Sequence, residues 1–164
     1  MKKILLCGAV FFIGLFFFQP VFAEDNIAIQ FTKDFSLMDF QRGCRDELPE
    51  KYLDNLCRLA YNLQIIQDHL PKGKKIKIIS GYRSFHCNKH VGGAKKSQHM
   101  KGKAADIRVK GMSTRRLKQL IERLIKEDKI ADGGVGLYRR HVHYDVREWR
   151  ARWKKIRYQG GVCD

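Results

Sequence analysis

Six consecutive residues, His141-Val142-His143-Tyr144-Asp145-Val146, split by period-two alternation into two unlike faces. Val142, Tyr144 and Val146 make an ordinary core face, whereas His141, His143 and Asp145 form a row of ligating and proton-transferring groups. The stretch 104–109 repeats the design, with Ala105, Ile107 and Val109 pointing one way and Ala104, Asp106 and Arg108 the other. If the two strands are neighbours in one sheet, Asp106 meets His143 across the ladder. His99, on the approach to the second of these strands, can then fold over the same spot. Two imidazoles and one carboxylate make a three-ligand zinc set that keeps a fourth position for water, the arrangement of a catalytic site. A lone strand histidine is more often a surface or hydrogen-bonded residue, so the paired histidines need the rest of the pattern to carry a function. Asp145 admits two readings: it orients a ligand imidazole through the second ring nitrogen, or it pairs with Arg108 or Arg147.

Holding these groups together requires a sheet backed by helices. Leu56, Leu59, Leu63, Ile66 and Leu70 recur at helical spacing over 50–70, and Pro71 and Gly73 end that run. Ser113 is placed to cap a second helix over 114–127, whose Leu117, Leu120, Ile121, Leu124 and Ile125 share one face. Strands are expected at 76–79, 104–109, 134–137 and 141–147, the last two joined as a hairpin through Tyr138-Arg139-Arg140. A further extended stretch at 27–31 leads into an irregular segment through Gly43 and Pro49. Residues 82–103, rich in Gly, Lys, Ser and His, read as a long functional loop with one helical turn. The basic tail 147–157 reads as a short helix anchored by Trp149 and Trp153. The sum is an α+β domain, with helices packed on a small, mainly antiparallel sheet.

Lys2 and Lys3, the apolar run 4–18 and Val21-Phe22-Ala23 have the form of a secretory signal peptide over 1–23, too short for a comfortable membrane span. Its removal from the 164 residues leaves 141, read as a single domain over 24–164 with 24–50 as an N-terminal extension. Of 33 Lys+Arg and 17 Asp+Glu, the leader holds two lysines and no acid, so the remainder carries a net charge of +14. With 44% hydrophobic residues this is a folded polycation rather than a disordered one, drawn to polyanions outside the cytoplasm. Cys44, Cys57, Cys87 and Cys163 make an even set, expected as two disulfides in any of three pairings. No C-x-x-C pair supports a four-cysteine zinc site.

The segment Ser97-Gln98-His99-Met100-Lys101-Gly102-Lys103-Ala104-Ala105-Asp106 resembles the S-x-H-x-x-G-x-A-x-D zinc signature of the D-Ala-D-Ala metallopeptidases. These metallopeptidases belong to a larger group that also contains lysostaphin-type endopeptidases and the hedgehog amino-terminal domain. The resemblance extends to Ser80-Gly81-Tyr82-Arg83-Ser84, Val91-Gly92-Gly93-Ala94, Gly134-Val135-Gly136-Leu137-Tyr138 and the His141–Arg147 run, thus about 76–153; residues 24–70 add nothing to it. It implies a hedgehog-type zinc peptidase fold and one zinc ion per chain on His99, Asp106 and His143. It also implies His141 as the catalytic base and Arg83 as a substrate-binding arginine. Ser97 is expected to brace the loop or touch substrate. Some members carry a further histidine where this chain has Tyr138, a departure that puts any second proton-transfer histidine in doubt. His86 and His90 match no ligand position, and Glu122, Glu127 and Glu148 fall on helix faces or in the tail.

Compartment, charge and resemblance together imply a secreted or periplasmic, cell-wall-associated monomer. It would hydrolyse peptidoglycan peptides at a cross-link, an endopeptidase rather than a carboxypeptidase trimming a terminal D-alanine. A zinc-holding module that binds wall polymer or a protein without turnover is the alternative. A specific nucleic-acid binder is disfavoured, because the basic residues are spread along the chain and form no known recognition motif.

Overall fold

In the computed structural model, which describes residues 29–44 and 46–155, two amphipathic helices lie on one face of a five-stranded sheet. The leader at 1–23, residues 27–28 of the first extended stretch, residues 156–157 of the tail and Cys163 lie outside the described residues. Helix α2 (Leu53–Asp68) is entered through a 3-10 turn (Glu50–Tyr52) and buries Leu56, Leu59, Leu63 and Ile66 completely. Helix α4 (Thr114–Lys126) begins at Ser113, whose side chain accepts from the Arg116 amide, and buries the expected leucine and isoleucine stripe. Ahead of them stand a two-stranded ladder, β1 (Gln30–Thr32) and β2 (Phe35–Ser36), and a single turn of helix, α1 (Leu37–Phe40).

The sheet comprises β3 (Ile76–Ser80), β4 (Ala104–Val109), β5 (Gly134–Tyr138), β6 (Val142–Asp145) and β7 (Ala151–Lys155), ordered β3-β4-β6-β5-β7. Three of its four pairings are antiparallel, and β5 with β7 is parallel. Ile78, Ala105, Ile107, Val135, Leu137, Val142 and Tyr144 join the helix stripes in one core. Alternation then sends Asp106, His143 and Asp145 to the face away from the helices. The α+β class is therefore the observed one.

Two expectations are corrected. The tail does not form a short helix; Ala151–Lys155 lies in register along the whole of β5, from Gly134↔Ala151 to Tyr138↔Lys155. An unpaired strand edge offers a full row of donors and acceptors, and that pairing outweighs local preference. Trp149 is exposed rather than an anchor. The stretch 82–103 holds two ordered pieces, α3 (Phe85–His90), capped by the Ser84 side chain, and a 3-10 turn (Gln98–Lys101). Gly102 ends that turn at φ 65°, a left-handed conformation that suits glycine.

Of the two expected disulfides one is present among the described residues, Cys44–Cys87, and Cys57 is unpaired among them. The bridge ties the segment after α1 to α3 across 43 positions. Replacing both cysteines by serine is expected to lower the unfolding free energy by about 2–4 kcal/mol. Urea denaturation with and without reductant checks this, since the reductant effect should shrink by that amount in the variant.

Candidate metal centre

The β4–β6 register sets Asp106 directly opposite His143. His99 arrives from the 3-10 turn, where its carbonyl accepts from the Arg83 amide and its ring Nδ1 lies 2.6 Å from the Gly81 carbonyl. A carbonyl only accepts, so Nδ1 carries the proton and Nε2 presents a lone pair to the centre. His143 is held in the complementary sense: Nε2 lies 2.9 Å from Asp145 Oδ2, which leaves Nδ1 facing inward. His99 Nε2, His143 Nδ1 and Asp106 Oδ1 then form a triangle with edges of 3.2, 3.0 and 3.4 Å. Tetrahedral zinc with bonds of about 2.0–2.1 Å separates its ligands by roughly 3.3 Å. Three acceptor atoms turned on one another at that spacing suit a shared cation, so the donor set fits a metal such as zinc.

Electrostatics follow from this crowding. Burial pushes the Asp106 carboxyl up, but hydrogen bonds and charge from His143 and His99 outweigh it and hold it well below the usual carboxylate range. Burial lowers the His99 imidazole. His143 is also pushed down by burial, yet its bonds to Asp106 and Asp145 leave it raised. Burial lowers half-buried His141, which favours its neutral form.

Around the triangle stands a ring of supports. Asp145, fully buried, accepts from His143, from the Gly134 amide, and from Arg147 at 2.7 and 2.6 Å. Asp145 thus touches the His143 ring and pairs at the same time with Arg147 rather than Arg108. A β-bulge between Ile78 and Ser80 brings Ser80 opposite Asp106. Ser80 Oγ there accepts from Arg83 Nε at 2.8 Å, while Arg83 Nη2 donates to Asp106 Oδ2 at 2.6 Å. Arg83 therefore braces the carboxylate whose other oxygen faces the imidazoles. It also lines the open cleft beside the centre, of about 530 Å³.

His141 sits just before β6 on the cleft wall, its Nε2 3.7 Å from Asp106 Oδ1. Its ring stacks on Tyr138 with centroids 4.3 Å apart and planes 17° apart. Ser97 begins the 3-10 turn and lines the cleft. His99, Asp106 and His143 thus lie at the centre, Arg83, Ser97, Tyr138 and His141 on the walls of the cleft, and Asp145 one contact behind. His86 and His90 are exposed, and Glu122, Glu127 and Glu148 pair with lysines or arginines away from the cleft. Among the described residues of the cleft lining, Asp106 is the only carboxylate.

Trp153 was not expected here. Its ring lies 5.0 Å from that of His143, and its indole N–H donates to Tyr138 Oη at 3.0 Å. It reaches this position over Gly136, where a Cβ would come within 2.4 Å of the indole. Gly134 gives the same room to Asp145, where a Cβ would come within 2.2 Å of Oδ2. Glycines at alternate positions of a strand, opposite a His-x-Asp pair, are the sequence signal for such close approach.

Residues 31–145 match the family described as Peptidase M15. The chain belongs to the M15 peptidases. The match starts well before residue 76 and so takes in the N-terminal elements and α2. The probable peptidoglycan L,D-endopeptidase MepK of Haemophilus influenzae is 36% identical over 120 residues, 66% of this chain and 60% of that protein. The peptidoglycan L,D-endopeptidase MepK of Escherichia coli is 34% identical over 94 residues, 51% of this chain and 48% of that protein. The chain thus spans 60% and 48% of the length of these relatives.

Proposed function

We propose that this M15 member is an exported zinc peptidase that cleaves peptide cross-links of peptidoglycan, as an endopeptidase. The observation that carries the reading is the convergence of His99 Nε2, Asp106 Oδ1 and His143 Nδ1 into a triangle of metal-ligand size beside His141. One zinc ion per chain on those three residues would supply Lewis acidity, making water a nucleophile near neutral pH and polarising the scissile carbonyl. His141, kept neutral by burial, takes a proton from the attacking water and returns it to the leaving amine. Tyr138 holds that imidazole flat against the cleft wall. Arg83 keeps Asp106 turned so that one oxygen faces the imidazoles.

The cleft is rimmed by Arg83, Lys96, Arg147 and Lys155, which suits a peptide carrying free carboxylates. The relatives' printed activity, peptidoglycan L,D-endopeptidase, supports that substrate. In this reading residues 1–23 are removed as a signal peptide, and the rest works as one domain in the periplasm or at the wall. No described helix is long and apolar enough to cross a membrane.

Digestion of purified sacculi followed by mass spectrometry of the released muropeptides tests the proposal. Cross-linked fragments should disappear in favour of monomers, and a chelator should stop this. An unchanged fragment pattern with metal present would leave a zinc-holding binding module instead. Tyr138→Phe keeps the stack on His141 but removes the acceptor of the Trp153 N–H. The expected fall in kcat/KM is about tenfold or less, at unchanged metal content. A loss beyond a thousandfold, roughly the scale of general acid–base catalysis, would place the phenol in the proton transfer itself.

A further inference from the structure

A second polar feature lies on the same sheet face, toward its β3 edge. Lys77 and Arg108 are direct cross-strand partners on β3 and β4, so both side chains leave the sheet on the side of Asp106. Both are exposed, and neither joins an ion pair among the described residues. Like charges set opposite one another weaken an antiparallel pair, so the fold gains nothing from this arrangement. With Arg42, Met38, Gln41 and Ile79 they line a groove of about 790 Å³. Arg42 shares its charge with Asp39 at 3.2 Å, and Met38 is 69% exposed on the rim. The groove thus combines cations with apolar surface, and the described residues lining it include no acid.

Its position is as telling as its composition. Arg108 stands two places from Asp106 on β4, about 7 Å along the strand. Gly43, in the groove lining, lies against Ser80, the residue that holds Arg83. An extended peptide covers such a distance in two or three residues. A substrate held at the centre therefore brings its own carboxylates within reach of Lys77 and Arg108.

We propose that the Lys77–Arg108 groove binds carboxylates of the peptidoglycan peptide strand whose bond lies over the metal centre, giving the enzyme a second grip on its substrate. This inference rests on the hydrolase reading above. Its test is the Lys77→Gln/Arg108→Gln variant in sedimentation binding to purified sacculi at low salt. The expected result is at least a tenfold weaker dissociation constant, with a thermal midpoint no lower than that of the parent. The charge-conserving Lys77→Arg/Arg108→Lys exchange should bind like the parent. Sacculi whose carboxylates have been amidated should lose affinity for the parent by at least that factor and distinguish the two proteins no longer.

Equal affinity of parent and glutamine variant for native sacculi overturns the proposal. So does undiminished binding of the parent to amidated sacculi, or a loss confined to phosphatidylglycerol vesicles. If binding falls as expected but the parent releases no muropeptides, the groove stands and the hydrolase reading fails. If both proteins release muropeptides and bind alike, the hydrolase reading stands and the groove is wrong.

Discussion

A His143→Ala variant is expected to emerge from purification without metal and without hydrolytic activity. The substitution deletes the inward-facing Nδ1, 3.0 Å from Asp106 Oδ1 and 3.2 Å from His99 Nε2. What remains is an imidazole and a carboxylate, too few for a tetrahedral site with one open position. Affinity should fall by more than the 10–100-fold typical of losing an outer support. The alanine also strips Asp145 of a hydrogen-bond partner, although Arg147 and the Gly134 amide still satisfy it. Elemental analysis gives the reading: about one equivalent of zinc in the parent and close to none in the variant. Full zinc in the variant would end the assignment of His143 as a ligand. A circular dichroism melt separates metal loss from unfolding, because the variant should resemble the parent treated with chelator.

His141→Ala should part the two properties. The ring lies outside the triangle, on the cleft wall, with its Nε2 3.7 Å from Asp106 Oδ1. Removing it leaves all three inward atoms and their supports untouched, so the zinc equivalent should stay near one. Turnover should drop by about 10²–10⁴, the usual contribution of a positioned proton-transfer group. Because the side chain is part exposed and, among the described residues, stacks on Tyr138 alone, the cost in stability should be small. Retained turnover would move the proton-transfer role elsewhere. Among the described cleft residues Tyr138 would then be next in line.

Much of this centre could be read from residue order because its geometry is local or follows a period of two. Asp106 and His143 fall on polar strand faces by alternation alone, and the β4–β6 register makes them meet. The stripes of α2 and α4 were equally plain, since buried leucines recur at helical spacing. What escaped depends on partners distant in the chain. The β7 strand exists because β5 has a free edge, and nothing within 147–157 announces that. Ser80 reaches Arg83 only through a bulge, a feature of two strands in register rather than of one. Trp153 meets His143 only because Gly136 lies beneath its ring. The double engagement of Asp145 was open for the same reason, since His143 Nε2 and Arg147 approach it from different directions.

The parallel β7 strand has a consequence for biogenesis. The three inward-facing side chains, His141 and Arg83 all precede residue 151, whereas Trp153 enters with the final described strand. As the chain is made from its N-terminus, those five residues therefore emerge before the last wall of the cleft does. Until β7 docks, the hydroxyl of Tyr138 lacks its indole donor and the edge of β5 lies bare. The order of synthesis thus delays completion of the cleft until Trp153 has emerged.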